Sequence, residues 1–239
     1  MHRAVVAARE LLFPPCCAGC GRADDDLPGG WLCLACRERL AADLRARCSR
    51  CARLAPEVAA DCVDCAAGGK RGFAAVVCLG SYERELRDAV LRTKRAAEFP
   101  LAFALANLLL DRQIETMAAW RVDRVVAMPM HWMRRFVRGA NGPDLIAQQL
   151  SRRLGAADVS RSLVRRRNTP PQASLPPSAR HANVRGAFRV RRPSSVAGSR
   201  VLLVDDVMTT GSTCREAAST LRAAGATEVF VAVVARADT

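Results

Sequence analysis

Eight cysteines in four C-x-x-C pairs constrain the first part of this 239-residue chain more tightly than any other feature. The pairs are Cys17/Cys20, Cys33/Cys36, Cys48/Cys51 and Cys62/Cys65, separated by 12, 11 and 10 residues. A C-x-x-C turn lets two thiolates face one metal ion, and a second such turn completes a tetrahedral shell of four sulfurs. Four pairs therefore predict two structural zinc ions, each with a closed shell that keeps no position for a reacting water. Disulfides are the competing reading, but no export signal is read in the chain and cytosolic thiols stay reduced. Cys16 abuts Cys17, and either can supply the first ligand. Residues 1–70 hold few large apolar side chains, so the metals are expected to supply most of the folding free energy of this segment.

After Gly68-Gly69 the pattern changes to an α/β rhythm. Phe73 to Leu79 predicts a strand, and Glu83 to Arg95 a helix with Leu86, Val90 and Lys94 on one face. Pro100 fits the first turn of a helix running to about Met117, apolar nearly all round and therefore buried. Val122 to Met128 is a buried-type strand, Pro143 opens a helix toward Leu154, and Asn168 to Pro177 is an extended loop. Val201 to Val204 is a strand, Thr213 to Ala224 a helix ended by Gly225, and Val229 to Ala235 the last strand. Strands alternating with helices predict a parallel sheet with its ligands at the carboxyl ends of the strands. The longest apolar run, Leu101 to Leu110, is about half a membrane crossing, so we expect a cytoplasmic chain without membrane insertion.

The formal charge of +14 is concentrated in one place. Residues 120–200 carry seventeen basic against three acidic side chains, a formal +14, while the other segments nearly cancel. Only Lys70 and Lys94 among the 37 basic residues are lysines. Arginine binds phosphate with two parallel donors, which suits such a segment to phosphate ligands. Two zinc ions, each with four thiolates, would make residues 1–70 slightly negative and unsuited to anchor a nucleic acid.

The segment V-L-L-V-D-D-V-M-T-T-G-S-T, Val201 to Thr213, runs from a buried strand through two acids into a turn of small residues and a helix. Asp205 and Asp206 can accept hydrogen bonds from vicinal ribose hydroxyls. Thr209, Thr210, Gly211, Ser212 and Thr213 offer hydroxyls and backbone N–H groups at a helix amino terminus, where the dipole favours a phosphate. A plain turn capped by a serine or threonine is the competing reading. The acid pair and the small-residue turn together at one strand end favour the ligand site.

This string resembles the phosphoribosyl pyrophosphate signature of type I phosphoribosyltransferases. With the cysteine pairs ahead of it, the chain resembles the ComF family of competence-associated double zinc ribbon proteins. Further matching pieces are Phe13-Pro14-Pro15, Tyr82 with Leu86 and Lys94, Met128-Pro129-Met130-His131 leading to Arg138-Gly139-Ala140-Asn141, and Arg165 to Phe188 with Thr169, Gln172, Leu175, Arg180 and Asn183. The resemblance implies a type I phosphoribosyltransferase-like parallel sheet flanked by helices over 71–239, preceded by a double zinc ribbon over 1–70. It further implies a pyrophosphate-facing loop at Met128 to Asn141 with Arg134, Arg135 and Arg138. A mobile loop from Arg165 to Pro177 would carry Arg165, Arg166 and Arg167. Arg138 joins Asp205 and Asp206 as the implied catalytic set. Ala140 departs from the family's R-G-F-N pattern, which removes an aromatic there but no phosphate ligand.

Two functions follow as expectations. One is binding of phosphoribosyl pyrophosphate, with magnesium on the diphosphate, and transfer of the phosphoribosyl group to a nitrogen base. The other is a non-catalytic accessory of the DNA-uptake machinery in which residues 120–200 bind single-stranded DNA. The short stretch after the last strand, Arg236 to Thr239, supplies no base-holding loop of the kind such transferases use. With 5% aromatic residues there is no evident platform for stacking a row of bases. His131 is expected to be a hydrogen-bonding neighbour, Cys214 a buried packing residue, and Trp31 and Trp120 packing or domain contacts.

Overall fold

The computed structural model describes residues 15–23, 27, 31–55, 62, 65, 72–95, 98–130, 142–169 and 176–238, the side chains of 177, 178 and 181 aside. In chain order the elements are α1 (Leu34–Leu40), β1 (Val76–Ser81), α2 (Arg84–Arg92), α3 (Phe99–Ala119), β2 (Arg124–Ala127), α4 (Gly142–Leu154) and β3 (Ala157–Asp158). They continue as β4 (Leu163–Arg165), α5 (Pro177–Val184), β5 (Phe188–Val190), β6 (Arg200–Met208), α6 (Ser212–Ala223) and β7 (Glu228–Arg236). Five strands form a parallel sheet in the order β1-β7-β6-β2-β3, and β4 and β5 form a separate antiparallel pair.

The central strands carry the continuous apolar runs Val201 to Val204 and Val229 to Ala235 because both sheet faces are covered there, as a parallel sheet requires. On one face Val77, Leu79, Val125, Ala127, Leu202 and Val204 pack against apolar residues of α2, α3 and α4 such as Leu86, Leu105 and Ile146. On the other, Val76, Cys78, Val126, Leu203 and Val231 pack against Cys214, Ala217, Ala218 and Leu221 of α6. The helix expected from Pro100 is present as α3, with Pro100 in its first turn and nine buried residues.

Three local differences from the sequence reading have physical causes. The strand expected over Val201 to Val204 is β6 and runs on to Met208, because its ladder with β7 continues through Val207 opposite Ala235 and Met208 opposite Arg236. The acid pair therefore lies inside a strand and not in the loop that follows it. The helix expected to reach Arg95 ends at Arg92, which puts Lys94 beyond its last turn. The short elements α1, β3, β4, α5 and β5 showed no clear periodicity in the sequence, since two to eight residues are too few to establish one.

The cysteine-rich segment docks directly on the sheet domain. Cys17, Leu32, Cys36 and Leu40 belong to the apolar cluster that contains Val77, Leu86 and Leu101. Trp31 stacks on Phe103 of α3 at 5.8 Å, so it makes the domain contact expected of it. Arg92 donates to the carbonyls of Ala18 at 2.9 Å and Gly19 at 2.5 Å, and Arg112 donates to those of Ala41, Asp43 and Leu79. Asp43 is held by the Ser81 N–H at 2.8 Å and by Arg45 and Arg47. Burial raises the pKa of its carboxyl, but these hydrogen bonds outweigh it and hold the group below the usual carboxylate range. No helix among the described residues is long and apolar enough to cross a membrane.

Candidate functional site

The four sulfurs of Cys17, Cys20, Cys33 and Cys36 lie within 4.8 Å of one another, and so do those of Cys48, Cys51, Cys62 and Cys65. The first group contains Cys17 and not Cys16, which sits exposed in a bridge with Ala23. Sulfur pairs stand 3.9 Å apart at Cys20/Cys33, 3.7 Å at Cys48/Cys65 and 3.6 Å at Cys51/Cys62. A tetrahedral zinc with bonds of about 2.3 Å sets its sulfurs about 3.8 Å apart, whereas a disulfide closes to about 2.05 Å. Spacing and donor set therefore fit two zinc ions and not disulfides. Burial, opposed by a hydrogen bond from Arg39 and aided by the neighbouring sulfurs, pushes the Cys36 thiol up to about 12. A cation among the four sulfurs would remove that obstacle to ionisation.

The acid pair lies at the carboxyl end of β6, where the next residues turn into α6. Asp205 is 9% exposed, and its Oδ1 accepts the backbone N–H of Asp206 at 2.9 Å. Burial first, and the charge of Asp206 second, push its carboxyl well above the ordinary range, while Arg165 pulls it down. Asp206 is half-buried, its Oδ1 accepts the Val207 N–H at 2.7 Å, and its Oδ2 stands 3.9 Å from Lys94 Nζ. Lys94 lies two residues past the end of α2.

In the turn, Gly211 caps α6 with φ of 75°, in the left-handed region. A Cβ at this position would meet Met208 Cε at 2.6 Å, the free end of a flexible side chain that can move aside, so it is the left-handed backbone that favours glycine. The Thr210 and Ser212 hydroxyls are hydrogen-bonded at 2.9 Å, and Ser212 is buried while Thr209, Thr210 and Thr213 are half-buried. Two acids that accept hydrogen bonds thus stand one turn away from hydroxyls and a helix amino terminus that favour an anion.

The arginines expected around this site separate into three groups. Arg134, Arg135 and Arg138, with His131 and Ala140, lie outside the described residues, as do 170–175 of the expected mobile loop. Arg165 ends β4, bonds the Thr169 hydroxyl and lies over the Phe188 ring at 5.6 Å from its centroid, close enough for its charge to reach Asp205. Arg167 is exposed and donates to the Arg185 carbonyl at 2.6 Å. A groove of about 920 Å³ is lined by Arg161, Arg165, Arg166, Arg189 and Arg191, with Asp144 and Asp158 as its acids. Cys214 is buried in the α6 core, and burial pushes its thiol far up, which makes it the packing residue expected.

The residue that sequence reasoning missed is Arg236. Read as the start of a short tail, it is instead the last residue of β7, 2% exposed, and it donates to the Met208 carbonyl at 2.9 Å and to that of Thr209. The signal was available as a lone arginine closing the apolar run Val229 to Ala235.

Comparison with known proteins finds relatives of this chain. Residues 144–239 match the family model of the phosphoribosyl transferase domain. DNA utilization protein YhgH of Salmonella typhi is 33% identical over 223 residues, covering 86% of this chain and 96% of that protein. Competence protein F of Haemophilus influenzae is 32% identical over 166 residues, covering 68% of this chain and 72% of that one. A solved glutamine phosphoribosylpyrophosphate amidotransferase from B. subtilis, complexed with ADP and GMP, is 26% identical, covers 47% of this chain and 22% of that one, and has a TM-score of 0.33. The parallel sheet flanked by helices, with acids at the end of β6 and a small-residue turn into α6, defines a phosphoribosyltransferase-type domain, here joined to two four-cysteine groups. The match to YhgH over nearly its whole length, together with Competence protein F, places this chain in the ComF family.

Proposed function

We propose that the chain binds phosphoribosyl pyrophosphate or a related 5-phosphoribosyl ligand at Val201 to Thr213. The observation that carries this reading is the junction of β6 and α6, where Asp205 and Asp206 meet a glycine-capped turn of hydroxyls. The two acids accept the ribose hydroxyls, and Thr209 to Thr213 hold the 5-phosphate at the helix amino terminus. Arg165 and Arg167, with Arg134, Arg135 and Arg138, are assigned to the diphosphate, whose negative charge grows as it leaves. Magnesium carried on the diphosphate supplies further neutralising charge.

Transfer to a base nitrogen completes the reading. The bond from ribose C1 to the diphosphate oxygen breaks with its electron pair on the diphosphate, the nitrogen lone pair forms the new bond to C1, and the nitrogen's proton leaves to solvent. Residues 1–70 form a double zinc ribbon with two zinc ions and residues 71–239 the phosphoribosyltransferase-like domain. Clusters of reduced thiols suit a cytoplasmic protein.

A second reading is favoured by the basic groove and by the relatives' names. In it, residues 120–200 bind single-stranded DNA as part of a DNA-uptake apparatus, with Arg161, Arg165, Arg166, Arg189 and Arg191 on the phosphates. Calorimetric titration with phosphoribosyl pyrophosphate and magnesium, followed by a pyrophosphate-release assay over a panel of bases, separates the two. Binding with release supports the transferase, binding without release leaves a ligand-binding module, and absence of binding overturns the pocket assignment.

A further inference from the structure

One buried side chain joins the second cysteine group to the phosphate turn. Arg236 Nε donates to the carbonyl of Cys51 at 3.1 Å, while Nη1 donates to the carbonyls of Met208 at 2.9 Å, Thr209 and Ala237. Cys51 belongs to the second sulfur group, and Met208 and Thr209 lead into the turn that Gly211 caps. A charged donor buried to 2% exposure is costly unless its hydrogen bonds are made, so the carbonyls that satisfy it must stay where they are.

The same cysteine turn is tied down on all sides. Ala52, at φ of 56° and 2% exposed, packs in the apolar cluster that contains Met208, Cys78 and Met128. The Ser49 carbonyl accepts the Val76 N–H at 3.1 Å, continuing the edge of β1. Asp238 accepts the Leu54 N–H at 3.2 Å and the Ser81 hydroxyl at 2.9 Å, and Arg47 reaches both Asp238 at 3.3 Å and the Ala52 carbonyl at 2.9 Å. Ala237 N–H returns to the Met208 carbonyl at 2.9 Å. The first sulfur group has its described contacts with α2 and α3, through Arg92 and Trp31.

We propose that Arg236 is a positioning residue through which the closed second four-cysteine site sets the phosphate turn, so that metal occupancy of Cys48, Cys51, Cys62 and Cys65 governs binding at Thr209 to Thr213. The proposal rests on the reading above that this turn holds a phosphorylated ligand. Conditions that empty the second site, such as oxidation of its thiols or competition by a chelator, would then switch the ligand site off. Emptying the first site would not.

The test is amide hydrogen exchange on the full-length, zinc-loaded protein, read at residues 209–213, with zinc per chain and calorimetric titration of phosphoribosyl pyrophosphate with magnesium alongside. Four chains are compared: the unmodified chain, Cys65→Ser, Cys20→Ser and Arg236→Lys. Cys65 and Cys20 lie outside the apolar cores, and Arg236→Lys keeps all eight cysteine ligands and the charge but has one ammonium in place of Nε and Nη1, so it cannot hold the Cys51 and Met208 carbonyls together. Exchange at 209–213 should rise at least about tenfold in Cys65→Ser and Arg236→Lys, the factor that one lost charge-assisted hydrogen bond gives, while amides of Val231 to Ala235 keep their protection. Affinity for phosphoribosyl pyrophosphate should fall by a similar factor, and Cys20→Ser should leave exchange at 209–213 unchanged. Unchanged exchange in a Cys65→Ser chain that has lost one zinc, or an equal rise in Cys20→Ser, overturns the proposal. Should Cys65→Ser lose protection throughout, Arg236→Lys decides: a rise confined to 209–213 supports the coupling, and none overturns it. If the unmodified chain does not bind phosphoribosyl pyrophosphate, the ligand reading fails while the exchange result still tests the coupling.

Discussion

Cys17, Cys33 and Cys36 of the first group sit against the sheet face that carries Val77 and Leu202, whereas the turn after Cys51 packs with the residues of the opposite face, Val76 and Leu203. The donors are the same and the spacings nearly so, yet the surroundings differ. The first group shares its core with α2, α3 and α4, which are scaffold. The second shares its core, through Ala52, with α6 and Met208, which flank the turn of Thr209 to Gly211. Two similar cysteine motifs thus meet different elements of one sheet domain, and the proposed difference in their work rests on that packing.

The comparison can be broken most directly at the ligand face. Asp205→Asn with Asp206→Asn should lower affinity for phosphoribosyl pyrophosphate by at least about two orders of magnitude, since each charge-assisted hydrogen bond is worth about 1.5 to 3 kcal/mol. Calorimetry reads the affinity and elemental analysis the metal, which should remain at two zinc ions per chain. Unchanged affinity would place the ribose elsewhere.

On the scaffold face, Leu40→Ala removes a buried side chain that joins α1 to the sheet core. Denaturant unfolding should show a loss of about 2 to 5 kcal/mol, the usual range for a buried leucine, with ligand affinity of the folded chain unaltered. A loss below about 1 kcal/mol would mean that the cysteine segment does not share its core with the sheet.

Gly211→Ala forces a left-handed backbone on alanine, while the end of the Met208 side chain can move aside for the added methyl. Backbone strain should destabilise the chain by about 1 to 3 kcal/mol and weaken ligand binding more than Leu40→Ala does. Thermal melts with and without ligand separate the two contributions, and equal ligand stabilisation in both variants would sink the assignment of this turn. The smallest effect belongs to the basic segment. Replacing Arg165, Arg166 and Arg167 with alanine should reduce the log-log salt slope of single-stranded DNA binding by about 2, at about 0.7 per phosphate contact. Gel shifts over a salt series check this, and a slope unmoved by the triple change shows that DNA is held by another surface.

Much of this was legible in the sequence, because the relevant patterns are local. The C-x-x-C turns, the apolar helix after Pro100 and the strand-acid-turn-helix order of Val201 to Thr213 each fit within a few turns of chain. The true length of β6 was not legible. A strand ends where its neighbour stops pairing, and β7 pairs as far as Met208 opposite Arg236. Lys94 read as part of a helical face, yet its place beside Asp206 depends on where α2 ends and on how the helix lies over the sheet.

The sequence by itself determined the two four-sulfur sites, the parallel α/β class and the acid pair at a phosphate-type turn, since each is a matter of residue type at short spacing. Only the tertiary structure decided that Cys17 and not Cys16 completes the first group, and that Arg236 bonds both the Cys51 carbonyl and those of Met208 and Thr209. Arg236 and Cys51 are 185 residues apart in the chain. A buried guanidinium takes its partners from whatever carbonyls the fold brings within about 3 Å, and no short-range pattern encodes which loops those will be.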